Sequence, residues 1–345
     1  PGFSAGGGVT TTSEDGGHSR VIALSEAGVA QAVFGPLHRH LAHIQEAFRD
    51  PNAPRGAPAY SVTLDAQGDR LLVRASSAAD LERVQRIVDS LADLARRKGK
   101  IREGEVLAAI SFSEGASENS GPMTLPQLGG LTLRTPRQVH YVEALRDENI
   151  DLIFGVGPAG TGKTFLAVAA AVEALKQERV DRIIVTRPAV EAGEKLGYLP
   201  GDLAEKVDPY LQPIWDAFRS QMSDNDLKAR RERRVIEVAP LAFMRGRTLS
   251  NAFVIVDEAQ NATVLQMKMT LTRLGEGSRM VVTGDPSQID LLRSDQSGLA
   301  HAISILEDVP GVEVIRFATQ DVVRHRLVAH IVEAYHRDEG ARGGS

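Results

Sequence analysis

The stretch Gly157-Pro158-Ala159-Gly160-Thr161-Gly162-Lys163-Thr164 has the residue types and spacing of a phosphate-binding loop, G-x-x-x-x-G-K-T. Its glycines let the backbone turn so that N–H groups converge on phosphate oxygens, and the start of a following helix adds partial positive charge. In this pattern Lys163 reaches the β- and γ-phosphates of a nucleotide, and Thr164 ligates Mg²⁺. The flanks fit. Leu152-Ile153-Phe154-Gly155-Val156 reads as a strand. Lys163 to Leu175 reads as a helix whose apolar set is Leu166, Val168, Ala169, Val172 and Leu175.

A second group lies 94 residues beyond Lys163, where Phe253-Val254-Ile255-Val256 runs into Asp257-Glu258-Ala259-Gln260. A carboxylate at a strand tip can hold Mg²⁺, which is the role expected of Asp257. Its neighbour Glu258 is the candidate base that orients and deprotonates an attacking water. A third strand, Val281-Val282-Thr283, opens into Gly284-Asp285-Pro286-Ser287-Gln288. Gln288 is expected to bond the γ-phosphate or the water, whereas Asp285 also suits a plain Asp-Pro turn. Ahead of the loop, Gln138 is the candidate for reading adenine, because an amide can pair with both N6 and N7 of that base. A helix-surface glutamine is the alternative. These residues imply ATP and Mg²⁺ as cofactors.

Something must hold these groups together. Leu152–Val156, Arg182–Thr186, Val235–Val238, Phe253–Val256, Met280–Thr283 and Val312–Phe317 are mostly near-continuous apolar runs. Such runs suit a parallel sheet covered on both faces. The expectation is a doubly wound, mainly parallel α/β sheet of the RecA-like P-loop NTPase class over residues 134–336.

Residues 21–103 read as a small α+β domain. Ala27 to Phe48 is helical with an interruption at Gly35-Pro36, a hairpin turns at Asp65–Gly68, and Ser77 caps a third helix. Helix, helix, strand, strand, helix resembles a KH-type RNA-binding module. Gly35-Pro36-Leu37-His38 stands at the backbone-clamping loop but lacks the second glycine. Residues 104–133 read as a linker, and 1–20 and 337–345 as disordered tails.

The chain has 345 residues, 42% hydrophobic and 25% charged, with a formal net charge of −5. Any nucleic-acid contact must therefore use local patches. The cationic run Arg96–Arg102 and the cluster Lys228–Arg234 are candidates, each with a solvated helix face as the alternative. With no cysteine, disulfides and thiol chemistry are excluded. No membrane span and no signal peptide are evident, and cytoplasmic residence is the expectation.

Several longer stretches are similar to the PhoH family of bacterial P-loop ATPases, related to superfamily 1 helicase cores. Beside the loop and Asp257-Glu258-Ala259-Gln260-Asn261, they are Thr186–Gly197, Glu237–Leu249 and Asp321–His325. Ser287 and Leu292 depart from the usual threonine and proline. The resemblance implies a helicase-related ATPase of RNA metabolism, with RNA as partner, assembled as a homo-oligomeric ring, a hexamer. An endoribonuclease or a ribosome-associated factor is a further implied partner. Only 28 residues follow Phe317, too few for a second lobe, so an arginine finger is expected either from a neighbouring subunit or not at all. Arg324 is the first candidate and Arg326 the second, with capping or ion pairing as the other role for Arg324. The competing readings are an ATP-dependent scaffold or switch that recruits a partner without unwinding, and a phosphate-responsive kinase-like enzyme.

Overall fold

The computed structural model describes residues 10–12, 18–24, 26–50, 60–114, 124–188, 203–288 and 297–323. The chain divides into two compact units, Pro1–Pro136 and Arg137–Ser345.

In the first unit, strands β1 (Thr10–Thr12) and β2 (His18–Ala23) precede helices α1 (Ala27–Phe34) and α2 (Arg39–Glu46). Strands β3 (Val62–Gln67) and β4 (Arg70–Ala75) follow, then the long helix α3 (Ala78–Lys98) and α4 (Glu103–Ser113). A short hairpin, β5 (Gln127–Leu128) with β6 (Leu131–Thr132), closes the unit. The main sheet has the antiparallel order β1-β2-β4-β3. Helix α3 packs on β2 and β4, and α1 packs on α3, with Val29, Val33, Leu81, Val84, Val88 and Leu91 in one core. The Ser77 hydroxyl accepts from the Asp80 N–H at 3.0 Å and fixes where α3 begins. Gly35 (φ 70) lets the chain leave α1, and the 3₁₀ turn Pro36–His38 leads into α2. The helix-helix-strand-strand-helix layout is therefore found, with β2 added ahead of it.

Two expectations are corrected here. The stretch before residue 21 contributes β1 and the start of β2, which gain order by pairing with the sheet rather than from their own apolar content. The span 104–133 is not a plain linker. Helix α4 buries Val106, Ala108, Ala109 and Ile110 in the first unit's core. The buried Glu105 carboxylate accepts from Lys98 (3.0 Å) and from Thr132 (3.2 Å), which ties α3, α4 and β6 together.

The second unit opens with α5 (Pro136–Arg146), then alternates β7 (Leu152–Val156), α6 (Lys163–Lys176) and β8 (Arg182–Arg187). Helices α7 (Leu203–Arg219) and α8 (Asp224–Glu232) precede β9 (Ile236–Pro240) and β10 (Ala252–Val256). Helix α9 (Val264–Leu271), β11 (Arg279–Gly284), α10 (Gly298–Leu306) and β12 (Val312–Arg316) complete the described part. The strands form a six-stranded parallel sheet in the order β12-β7-β11-β10-β8-β9. Strands β7 and β10 are buried at every position, as sheets with covered faces require. This is the P-loop NTPase fold. Strand β11 lies between β7 and β10, so the carboxyl ends of these three neighbours present the loop, Asp257 and Gly284 along one edge.

Candidate nucleotide-binding site

Strand β7 ends at Val156, and the loop to α6 turns through three left-handed glycines: Gly157 (φ 135), Gly160 (φ 85) and Gly162 (φ 87). Gly157 cannot be replaced without movement, because a Cβ there would collide with the Phe317 carbonyl. Phe317 is held close by its own N–H, which donates to Val156 O at 2.8 Å. Behind the loop, Tyr141 of α5 is fully buried and packs edge-on against Phe317, with ring centroids 5.4 Å apart. Its hydroxyl donates to Lys163 O at 3.4 Å. Burial, and to a smaller degree the Asp257 charge, pushes the Tyr141 phenol well above its ordinary value, so it stays a neutral donor.

Gln138 was the sequence candidate for reading adenine. The structure shows a loop contact of its amide. It is 5% exposed, and Nε2 donates to the Thr161 carbonyl at 2.9 Å. It braces the phosphate loop from below.

Two distant motifs meet at one oxygen. Thr164, in the first turn of α6, donates its hydroxyl to Asp257 Oδ1 at 2.6 Å, although the residues are 93 apart in sequence. Thr283, at the end of β11, donates to the same oxygen at 2.8 Å. Oδ2 of Asp257 faces Arg187 Nε at 3.2 Å. Asp257 itself is 5% exposed. Its backbone N–H donates to Thr186 O at 2.8 Å, which registers the strand tip against β8.

Glu258 follows in a left-handed conformation (φ 52, ψ 38), unusual for a residue with a side chain. One of its oxygens accepts from Arg187 Nη2 at 2.9 Å, the other from Gln260 Nε2 at 2.6 Å. Gln260 also accepts the Asp285 N–H at 3.1 Å, linking the β10 and β11 tips. The Lys163 ammonium donates to the carbonyls of Gly157 (2.6 Å) and Pro158 (2.8 Å). Burial pulls it below its ordinary lysine value, while Asp285, Glu258 and Asp257 oppose that shift.

These side chains line one cavity of about 340 Å³, bounded by Lys163, Thr164, Arg187, Asp257, Glu258 and Gln288. Ala159, Gly160 and Gly162 contribute backbone to it. Gln288 is exposed at its rim, with its N–H on Asp285 O at 3.0 Å. Asp285 makes the turn expected of Asp-Pro, since Oδ1 accepts from the Ser287 N–H (3.0 Å) and hydroxyl (2.6 Å). Its other oxygen is buried with no hydrogen-bond partner among the described residues. The donor set around Thr164 and Asp257 is all oxygen, which suits a hard cation such as Mg²⁺ completed by phosphate and water. Groups of three or more His, Cys, Asp or Glu arranged for a metal do not occur among the described residues.

The structure brings together Lys163, Thr164, Asp257, Glu258 and Gln288. Arg324 and Arg326 lie outside the described residues, as do Lys195 and Leu292. Arg187 lies in the family-like stretch Thr186–Gly197 without a role of its own, and its place one strand from Asp257 shows only in the sheet order. Thr283, Gln260 and Tyr141 carried no signal of their own. Arg247, within the family-like stretch Glu237–Leu249, forms a two-point pair with Glu237 at 2.7 and 2.8 Å. Both cationic clusters are partly neutralised. Arg97 pairs with Asp93 and Lys98 with Glu105, while Arg230 pairs with Asp226 and Arg231 stacks 4.0 Å over the Trp215 ring.

Comparison with known proteins agrees with this picture. Residues 130–336 match the family model described as "PhoH: PhoH-like protein". The PhoH-like protein of Bacillus subtilis (strain 168) is 50% identical over 257 residues, covering 72% of this chain and 80% of that protein. The PhoH-like protein of Mycobacterium tuberculosis (strain ATCC 25618 / H37Rv) is 48% identical over 272 residues, 77% of each. Protein PhoH of Escherichia coli (strain K12) is 42% identical over 258 residues, 70% of this chain and 71% of that protein. Among solved structures, the Sulfolobus solfataricus SWI2/SNF2 ATPase core in complex with dsDNA is a distant likeness. It covers 58% of this chain and 48% of that one at 15% identity, with a TM-score of 0.32.

Proposed function

The chain belongs to the PhoH-like protein family, and on that footing we propose that it is a Mg²⁺-dependent ATPase acting in RNA metabolism. The observation that carries the ATPase reading is the 2.6 Å bond from Thr164 to Asp257, which unites the phosphate loop and the acidic strand tip in one cavity.

ATP places its phosphates against the loop N–H groups and the start of α6, where Lys163 exchanges loop carbonyls for phosphate oxygens. Thr164 and Asp257 would hold Mg²⁺, whose chemistry there would be to neutralise phosphate charge. Glu258 orients a water and takes its proton as the water oxygen bonds to the γ-phosphorus. The bond from that phosphorus to the β–γ bridging oxygen breaks, and its electron pair leaves with ADP. Gln288 at the rim bonds the γ-phosphate or the water.

Support for an RNA partner comes from the first unit. A cleft of about 840 Å³ is lined by Gly35, Pro36, Leu37, His38 and Lys100 among others. Leu37 there is 98% exposed, with φ 52. A left-handed turn presenting an apolar side chain beside a lysine suits a single strand with its bases splayed out. A homo-oligomeric ring, with Arg324 or Arg326 reaching a neighbouring site, belongs to the same proposal. ATP turnover titrated with single-stranded RNA tests it. The expected result is turnover raised at least about fivefold, and less so in high salt. Turnover unchanged by RNA contradicts the RNA role and leaves a nucleotide-dependent switch.

A further inference from the structure

One guanidinium stands between the two carboxylates of the site. Arg187 is the last residue of β8, and β8 pairs with β10 in parallel so that Thr186 lies opposite Val256. The chain beyond each strand therefore leaves the sheet side by side. This places Arg187 Nε 3.2 Å from Asp257 Oδ2 and Nη2 2.9 Å from Glu258 Oε1. The remaining oxygen of each carboxylate is also engaged, Asp257 Oδ1 by Thr164 and Thr283 and Glu258 Oε2 by Gln260.

In this arrangement Glu258 is poorly placed to act. A base must turn a lone pair toward a water, and the lie of this carboxylate is fixed instead by Arg187 and Gln260, which hold one oxygen each. The Arg187 side chain is 20% exposed and lines the same cavity as Lys163 and Gln288, so it is within the space where phosphates bind. Glu258 is 42% exposed at its side chain, which keeps its share of the bridge weak and exchangeable. A γ-phosphate offers a guanidinium more charge and a better two-point fit than one exposed carboxylate oxygen.

We propose that Arg187 is a γ-phosphate-sensing latch. It bridges Asp257 and Glu258 until ATP binds, then shifts onto the γ-phosphate of the same subunit and releases Glu258 as base. ADP lacks the group that draws Arg187 away, so the base is freed only when hydrolysable substrate is present. Arg187 is thus a positioning residue that acts through Glu258, and the inference rests on the ATPase reading above.

The test is equilibrium binding by calorimetry of two probes with Mg²⁺, ADP and a non-hydrolysable ATP analogue with an imido β–γ bridge. Arg187→Ala is expected to weaken the analogue about tenfold and ADP less than about twofold, as loss of one charge-assisted phosphate contact requires. Glu258→Gln is expected to tighten the analogue about threefold by removing the competing carboxylate, and to do so much less in the Arg187→Ala background. Arg187→Lys, which keeps a point charge without the fork, recovers part of the preference for the analogue. It also serves if Arg187→Ala does not fold. Equal loss of both probes, or the same gain from Glu258→Gln with and without Arg187, overturns the latch. If both probes bind the unaltered protein and Lys163→Ala weakens both, such a result removes the latch alone. If neither probe binds the unaltered protein, the ATPase reading falls with it.

Discussion

The side-chain amide of Gln138 donates to the backbone carbonyl of Thr161 at 2.9 Å, from a position almost closed to solvent. A bracing amide and a base-reading amide predict different phenotypes. Gln138→Ala should weaken ATP and GTP binding alike, by about three- to tenfold, because it frees a loop carbonyl that both nucleotides need in place. Competition binding with the two nucleotides checks this. A change confined to ATP would return Gln138 to adenine recognition.

Thr283 supplies the second hydroxyl on Asp257 Oδ1. Thr283→Val keeps the shape and removes the donor, at a site that is fully buried. The expected cost is about 1–2 kcal/mol of stability, measured by denaturant unfolding, with a raised Mg²⁺ requirement for turnover. Chelation of Mg²⁺ should abolish turnover in both proteins.

Gly157→Ala should be among the most damaging small substitutions. Its φ of 135 is unfavourable for alanine, and the new Cβ meets the Phe317 carbonyl. A loss of about 2 kcal/mol or more is expected, with loss of nucleotide binding, by thermal unfolding and calorimetry.

The Arg247 guanidinium, through its two-point hydrogen bond, holds the Glu237 carboxyl below the ordinary carboxylate value, with burial opposing. A carboxyl depressed in the folded state stabilises the protein above its unfolded value. That contribution is lost as pH falls through the folded one. Arg247→Ala should therefore cost about 0.5–1 kcal/mol at pH 7, because the pair is partly exposed. The gap between variant and parent should narrow below about pH 4. Denaturant unfolding across that range checks the sign.

Much of this was legible in the residues themselves. Buried parallel strands are near-continuous apolar runs, which is why β7, β8, β10 and β11 fall within a residue or so of their sequence bounds. The Ser77 cap and the break at Gly35-Pro36 are local signals, and local signals survive. Strand β2 was missed because its order comes from pairing with β4. Helix α4 was missed because its amphipathic contrast is weak, with Glu105 and Ser113 buried beside Val106, Ala108, Ala109 and Ile110. At the site, the motif residues carry their roles in their spacing. The supporting contacts do not: Arg187 to Glu258 and Thr283 to Asp257 depend on which strands are neighbours, which only the sheet order reveals.

The most direct measurement is single-turnover hydrolysis of Mg²⁺–ATP by Glu258→Gln beside nucleotide binding by the same variant. Binding should be kept and hydrolysis should fall by about a hundredfold or more, because the group that takes the proton from water is gone while the phosphate loop is intact. Hydrolysis at the unaltered rate in a variant that binds ATP would contradict that role of Glu258.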